Sequence, residues 1–166
     1  MEKSNIILTG MPGSGKSTVG IILAKELCMD FIDTDVLIQV DKGMILQDIY
    51  DASGVERFLD IEEQYVMGLA VTDTVIAPGG SVILNDRVMS YLRQSGITVF
   101  LDVPIDSIKQ RIDLYSRGTV REPGETLDDV WRKREPLYRV YADIVVKCGE
   151  MGQMEIAQYI AQKLRG

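Results

Sequence analysis

The sequence predicts an α/β protein built on a five-stranded parallel sheet flanked by helices. Three observations lead to this fold class. Short apolar runs typical of buried strands alternate along the chain with longer segments that have helical spacing. Strands that alternate with helices are joined by crossovers and therefore run parallel. The 166 residues, 46% hydrophobic and 26% charged, are typical of one ordinary globular domain, so we expect a single domain over 1–166.

The first two strands lie near the start of the chain. The apolar run Ile6-Ile7-Leu8 is the first strand, and it leads through a glycine-rich loop into a helix over 18–27 with apolar residues at helical spacing. The second strand, over 31–35, is a short apolar run that ends in two aspartates. A helical segment over 36–70 follows it and is interrupted at two glycines.

The middle of the chain contains the third and fourth strands. The third strand, 74–77, runs into a proline and two glycines, and a helix over 85–94 follows. The fourth strand, 97–103, begins after Gly96, which we expect to stop the preceding helix. Pro104 opens the next helix, to about residue 115, because proline suits a first helical turn.

The last part of the chain begins with an irregular segment. Residues 116–124 have no hydrophobic period and contain two glycines and a proline, which predicts a mobile loop. A helix over 125–141, a fifth strand over 143–147 and a closing helix over 153–164 complete the pattern. In such sheets ligands bind at the carboxyl ends of the strands.

The loop after the first strand fits the pattern G-x-x-x-x-G-K-[ST] of phosphate-binding loops. Its glycines allow the backbone to turn successive N–H groups onto a phosphate, at the positive end of the following helix. Lys16 would reach the β- and γ-phosphates, and the Ser17 hydroxyl would be a ligand of Mg²⁺. We therefore expect ATP and Mg²⁺ as cofactors. The expected nucleotide-binding residues of this loop are Gly13, Ser14, Gly15, Lys16, Ser17 and Thr18.

Two further signals directly follow strands. Asp33 and Asp35 can address one cleft, where one carboxylate would steady Mg²⁺ and the other would orient a substrate hydroxyl for attack. Alternatively, Asp35 caps a helix that starts at Val36. Gly79-Gly80 suggests a backbone that a ligand approaches closely, or an ordinary turn. Together with the phosphate loop, these signals converge on one edge of the sheet.

Three arginines are candidates for contacts with the anionic ligands. Arg117 and Arg121 lie in the predicted mobile loop. They would close over the phosphates and neutralise charge on the transferring group, or they are solvated cations. Arg134 lies on a predicted helix, where a surface cation paired with a glutamate is the default interpretation.

The composition excludes some classes of function. The net charge of −7 and the pI near 4.6 argue against a general binder of nucleic acids or membranes. Because the chain has no histidine, histidine-based catalysis and histidine metal sites are excluded. Two cysteines without metal-type spacing predict reduced core thiols in a cytoplasmic protein. We expect a cytoplasmic monomer that binds a small molecule, and neither nucleic acid nor membrane.

The chain resembles the shikimate kinase family of small P-loop kinases over nearly its whole length. The segments that carry the resemblance are Gly10–Ser17, Phe31-Ile32-Asp33-Thr34-Asp35, Val75-Ile76-Ala77-Pro78-Gly79-Gly80, Val99-Phe100-Leu101-Asp102-Val103-Pro104 and Arg134-Glu135-Pro136-Leu137-Tyr138, in this order. The resemblance implies a three-layer P-loop kinase fold with strand order 2-3-1-4-5. It also implies an acceptor-binding helical segment at about 36–70 and a lid at about 116–124.

On the nucleotide side, the resemblance implies roles for five side chains. Lys16 and Ser17 match the phosphate and Mg²⁺ groups, and Asp33 matches an acidic residue that helps to hold Mg²⁺. Arg117 matches the lid arginine that meets the phosphates, and Arg111 matches an arginine near the adenine. Lys16 and Arg117 would stabilise charge in the transition state.

On the acceptor side, the resemblance implies four contacts. Asp35 matches the catalytic carboxylate that binds the acceptor hydroxyls. Gly79 and Gly80 match the glycine-rich turn that binds the acceptor, and Arg134 matches an arginine that holds the acceptor's carboxylate.

Two departures concern the acceptor. The family usually has an arginine at the position of Leu59, as a second clamp on the acceptor carboxylate, and a third glycine at the position of Ser81. Arg57 lies about 200° around a helix from Leu59 and does not simply replace that clamp. We expect transfer of the γ-phosphoryl group of ATP to a hydroxyl of shikimate, giving shikimate 3-phosphate. The alternatives are another acceptor (homoserine, a gluconate-type sugar acid or a nucleotide) and a catalytically silent ATP-binding module.

Overall fold

The computed structural model describes residues 4–115 and 119–166. Its strands form one parallel sheet in the order β2-β3-β1-β4-β5, as predicted. The strands are β1 (Asn5–Thr9), β2 (Asp30–Asp33), β3 (Thr74–Ala77), β4 (Gly96–Asp102) and β5 (Ile144–Lys147). The central strand β1 is buried along its whole length, so the loop that follows it emerges from the middle of the sheet.

Helices flank this sheet. They are α1 (Lys16–Leu27), α2 (Thr34–Lys42), α3 (Leu46–Met67), α4 (Asp86–Ser95), α5 (Ile105–Tyr115), α6 (Leu127–Tyr141) and α7 (Gln153–Arg165). The two predicted interruptions between β2 and β3 are confirmed, because Gly43 ends α2 with a φ of 62° and Gly54 kinks α3 with a φ of 75°. A short 3₁₀ turn at Val82–Leu84, before α4, is not part of the sequence-based expectation.

Gly96 begins β4, whereas the sequence analysis gives it only the role of a helix stop. Its backbone is extended, with a φ of −168°, and it pairs with Asn5 of β1. A Cβ at this position would collide with the Asn5 backbone, so glycine is needed for close pairing of the two central strands.

The apolar core has two parts. The main cluster surrounds the sheet and includes residues 6–8 of β1, 75–76 of β3 and 99–101 of β4. A smaller cluster joins α2 and α3 to the segment that starts at residue 119, through Ile38, Ile49, Phe58 and Val120. The helices expected to bind the acceptor therefore have an apolar centre of their own, which also includes part of the expected lid.

Cys148 is buried just after β5, whereas Cys28 is exposed, so the expectation of two core cysteines is wrong for Cys28. Cys28 ends α1 in the left-handed conformation, with a φ of 55°, which leaves its side chain at the surface. Among residues 4–115 and 119–166, no helix has both the length and the apolar character needed to cross a membrane.

Candidate active site

The loop between β1 and α1 has the backbone of a phosphate cradle. Gly10, Gly13 and Gly15 have φ values of 151°, 79° and 93°, which residues with a Cβ rarely adopt. Gly15 stands directly before α1, and in the described structure no side chain caps this helix. The first N–H groups of α1 are therefore available to bind an anion at the positive end of the helix.

Lys16 is folded back across this loop. Its Nζ donates hydrogen bonds of 2.9 and 3.1 Å to the carbonyl oxygens of Gly10 and Met11. Burial lowers the pKa of Lys16 to about 8, although the nearby carboxylates of Asp35 and Asp33 oppose this shift. A buried cation of this kind is suited to a polyanion, because phosphate oxygens would replace the hydration that the ammonium group loses on burial.

Three further predicted nucleotide-binding residues, Ser14, Thr18 and Arg111, lie in or beside this loop. Ser14 is buried, and its Oγ has no hydrogen-bond partner among the described residues. A phosphate oxygen would supply such a partner, so the loop fits a triphosphate. Thr18 is exposed on the first turn of α1. Arg111, also exposed, donates a 3.1 Å hydrogen bond to the carbonyl oxygen of Gly13, so it supports the loop from α5.

Ser17 and Asp33 lie together where α1 begins and β2 ends. Ser17 Oγ donates a 2.5 Å hydrogen bond to Asp33 Oδ2. Asp33 Oδ1 accepts hydrogen bonds from the N–H groups of Asp35 and Val36, so Asp33 caps α2. The alternative in which Asp35 caps a helix starting at Val36 is therefore wrong, because the helix begins two residues earlier, at Thr34, with Asp33 as its N-cap. A hydroxyl and a carboxylate oxygen are donors that Mg²⁺ prefers.

Asp35 lies in the first turn of α2, facing the turn after β3. Its Oδ1 is 2.9 Å from the place that a Cβ on Gly79 would occupy. The N–H of Gly79 donates a 3.2 Å hydrogen bond to Thr34 Oγ1, which ties this turn to the start of α2. The charge of Asp35 raises the pKa of Lys16, so these two predicted catalytic groups belong to one site.

Gly79 and Gly80 are required by close approach. A Cβ on Gly79 would collide with the Glu62 carboxyl, and one on Gly80 would lie 2.7 Å from Pro12 Cδ in the phosphate loop. The Gly80 carbonyl accepts a 2.7 Å hydrogen bond from the buried Tyr138 hydroxyl. The pair therefore joins the phosphate loop to α3 and α6, and the interpretation as an ordinary turn does not explain these contacts.

Arg134 is 2% exposed, so the default interpretation as a surface cation is wrong. Its Nη2 donates a 2.5 Å hydrogen bond to the carbonyl oxygen of Val120, which draws the guanidinium inside from α6. Its Nη1 is buried and has no hydrogen-bond partner among the described residues. The charge of Arg134 lowers the pKa of both Lys16 and Glu62, so Arg134 faces the same site. A buried guanidinium with an unpaired N–H group is suited to a carboxylate ligand.

Of the two arginines in the predicted lid, only Arg121 lies within the described residues. Arg117 lies outside the described residues. Arg121 has an exposed side chain, and its backbone carbonyl accepts a 3.0 Å hydrogen bond from the Tyr50 hydroxyl. The neighbouring Val120 is buried in the smaller apolar cluster, so residues 120 and 121 contact the helices of the 36–70 segment.

Glu62 is a site residue that the sequence analysis does not identify. It is 2% exposed and lies on the buried face of α3 between Phe58 and Val66, at the same helical spacing. Ser81 Oγ donates a hydrogen bond to its Oε2. Burial and the charge of Asp35 raise the pKa of Glu62 to about 8. A glutamate on an otherwise apolar helical stripe is the signal in the sequence that could reveal it.

A cleft of about 310 Å³ opens beside Glu62, between α3 and the start of α4. The residues that line it are Leu59, Glu62, Glu63, Ser81, Val82, Leu84, Asn85, Asp86, Arg87 and Val88. Leu59 and Ser81, the two departures from the family pattern, therefore lie on the same cleft as Glu62. Arg87 pairs with Glu63 across 3.1 Å, and its side chain is largely exposed.

These features define a small-molecule kinase of the P-loop class. They are the sheet order, the phosphate loop with its buried lysine, and the carboxylates and the arginine opposite that loop. The comparisons with known proteins identify the family. A family model described as shikimate kinase matches residues 12–165. The chain belongs to the shikimate kinase family and is an ATP-dependent small-molecule kinase.

Individual relatives agree with this assignment. A shikimate kinase from Pseudomonas paraeruginosa is 36% identical over 168 aligned residues, which cover 97% of this chain and 96% of the relative. A shikimate kinase from Pseudoalteromonas translucida is 34% identical and covers 98% of both chains. Among solved structures, shikimate kinase from Acinetobacter baumannii in complex with shikimate matches with a TM-score of 0.91 at 30% identity, over 99% of this chain and 94% of that chain.

Proposed function

We propose that the protein transfers the γ-phosphoryl group of ATP to a hydroxyl of shikimate, which yields shikimate 3-phosphate and ADP. The observation that carries the proposal on the acceptor side is the buried Nη1 of Arg134, which has no partner among the described residues and lies near Lys16 and Glu62. A carboxylate on the acceptor would supply that partner. The Acinetobacter baumannii structure in complex with shikimate supports this choice of acceptor.

The phosphate loop would hold the nucleotide. Ser14 Oγ and the first N–H groups of α1 would donate hydrogen bonds to the phosphate oxygens. The Lys16 ammonium group would exchange its hydrogen bonds to the Gly10 and Met11 carbonyls for contacts with the phosphates. Ser17 Oγ and Asp33 Oδ2 would hold Mg²⁺. When bound, Mg²⁺ would neutralise charge that develops on the phosphate oxygens.

Asp35 would orient the acceptor hydroxyl by accepting its hydrogen bond, and would take the proton as the hydroxyl attacks. Its position supports this role, because it lies beside the Gly79 turn and near the Lys16 ammonium group. The Gly79 and Gly80 backbone would lie against the acceptor.

The lid would complete the site. We propose that residues 116–124 form this lid, that Arg117 meets the phosphates, and that Arg111 lies near the adenine. Closure over the phosphates would exclude water and limit hydrolysis of ATP. The 36–70 segment would bind the acceptor, with Leu59 contributing an apolar wall instead of a second clamp on the carboxylate.

The test is an ADP-release assay with shikimate, homoserine, gluconate and nucleoside monophosphates as acceptors. We expect turnover with shikimate and a product phosphorylated on the 3-hydroxyl, identified by ³¹P NMR. Turnover with one of the other acceptors, and none above background with shikimate, would reject the proposed acceptor. ATP binding without phosphorylation of any of these alcohols would favour a silent ATP-binding module.

We also propose that the protein acts in the cytoplasm as a monomer, without nucleic-acid or membrane partners. The net charge of −7 supports the absence of anionic macromolecular partners. Light scattering coupled to size-exclusion chromatography tests the oligomeric state, with an expected mass near 18.5 kDa.

A further inference from the structure

Glu62 is a buried carboxylic acid that the proposed reaction does not use. Both of its oxygens lie against the turn that follows β3. Oε1 fills the space that a Cβ on Gly79 would need, and Oε2 accepts a hydrogen bond from Ser81 Oγ. Ser81 is itself only 3% exposed. The Glu62 carboxyl therefore packs against both ends of the turn 79–81, at Gly79 and at Ser81.

Charged and polar groups on three other helices face this carboxyl. Asp35 comes from α2, Lys16 from α1, and Arg134 with the Tyr138 phenol from α6. Burial and Asp35 act against the ionised form of Glu62, whereas Ser81, Arg134 and Lys16 favour it. These opposing effects together determine the pKa of Glu62, and the hydrogen bond from the Ser81 hydroxyl is one of those that lower it.

Leu59 offers no hydrogen-bond donor to the Glu62 carboxyl. It lies one helical turn before Glu62 on α3, is partly buried and lines the same cleft. Arg57 is exposed, and within the fully described α3 no cation contacts Glu62. On this side of the site, Ser81 supplies the polar contact to the carboxyl.

We propose that Ser81 is a positioning residue, which fixes the Glu62 carboxyl against the Gly79 turn and so sets how tightly the acceptor is held beside Asp35. The effect on the acceptor rests on the proposed function. The effect on Glu62 itself does not, because it is a property of the free protein.

The primary experiment therefore needs no acceptor. The side-chain carboxyl of Glu62 is followed by NMR in protein labelled with ¹³C-glutamate, and its resonance is assigned by its loss in Glu62→Gln. Ser81→Ala removes a hydrogen bond to the ionised form, so the titration midpoint of Glu62 should move to higher pH. Ser81→Thr retains the hydroxyl and should restore the midpoint. Ser95→Ala removes a hydroxyl that bonds a backbone carbonyl at the end of α4, and should leave the midpoint unchanged.

The second experiment measures acceptor kinetics from pH 6 to 9. Ser81→Ala should raise KM for shikimate about tenfold with KM for ATP unchanged, and Ser81→Thr should recover most of the loss. An unmoved Glu62 midpoint, or a lowered melting temperature with unchanged KM for shikimate, would overturn the proposal. If wild type does not phosphorylate shikimate, the proposed function fails, whereas the titration still decides the role of Ser81.

Discussion

Ser17 Oγ and Asp33 Oδ2 are joined by a 2.5 Å hydrogen bond that connects the first turn of α1 to the end of β2. The other oxygen of Asp33 caps α2. One carboxylate therefore has two tasks, since it fixes the start of the helix that carries Asp35 and holds the hydroxyl proposed as a magnesium ligand.

The two tasks of Asp33 can be separated by substitution. Asp33→Asn retains an oxygen for the cap, so its melting temperature should stay near that of wild type, whereas Asp33→Ala should lose about 0.5–2 kcal/mol. Ser17→Ala and Asp33→Asn should each raise the Mg²⁺ concentration for half-maximal activity at least about tenfold. A Mg²⁺ titration of the coupled assay measures this, with the exposed Ser90→Ala as control. A wild-type Mg²⁺ dependence in both variants would contradict the assignment.

Lys16→Ala should abolish turnover while the fold remains intact. The ammonium group would stabilise charge on the transferring phosphoryl group, and losing such a contact costs about 10²- to 10³-fold or more in kcat. Because burial works against the Lys16 charge, the melting temperature should not fall by more than a few degrees. Lys25→Ala, an exposed change in the last turn of the same helix, should retain activity. Substantial turnover by Lys16→Ala would remove this lysine from the mechanism.

Asp35→Asn should lower kcat about 10²- to 10⁴-fold, because an amide cannot accept the hydroxyl proton. Nucleotide affinity and melting temperature should change little, since the cap of α2 is provided by Asp33. Calorimetric titration with ATP and a single-turnover assay measure the two effects separately. Asp48→Asn, an exposed change in the first turn of α3, serves as the matched control. Normal turnover in Asp35→Asn would exclude the residue as the catalytic carboxylate.

The fold could be predicted because its information is local. Apolar runs such as Ile6-Ile7-Leu8 and breaks at Gly43 and Gly54 each mark an element without knowledge of its neighbours. The position of Lys16 and Ser17 could also be predicted, because the phosphate loop is one continuous segment.

The acceptor side could be predicted only in part, because it depends on contacts between distant segments. The burial of Arg134 depends on the Val120 carbonyl, and nothing adjacent in sequence marks it. Asp33 and Asp35 are equally good helix caps, so only the observed start of α2 distinguishes them. Glu62 is recognised as a site residue because the turn at Gly79 and Ser81 folds onto it.

Glu62→Gln should make the protein more stable at high pH. The pKa of Glu62 is about 8 in the fold against an ordinary 4.5, so the native state binds more protons than the unfolded state between these values. The contribution of Glu62 to stability is therefore fully present below about pH 4.5 and is lost as the pH rises to about 8, by on the order of 3–5 kcal/mol. The glutamine variant should lack this decline. Urea unfolding of both proteins at pH 5, 6.5 and 8 measures it, and a pH-independent difference would contradict the shifted pKa.

Leu59→Arg should improve binding of an acceptor that carries a carboxylate. Leu59 lines the cleft beside Glu62, so a guanidinium there would lie near the acceptor side of the site. A charge-assisted contact of about 1.5–3 kcal/mol corresponds to about a ten- to a hundred-fold lower KM for shikimate. Steady-state kinetics with shikimate and with its methyl ester measure the effect, which should vanish with the ester. Gln64→Arg adds the same charge at an exposed position of α3 and should leave KM unchanged. An equal gain with both acceptors, or in both variants, would show a general charge effect rather than a carboxylate clamp.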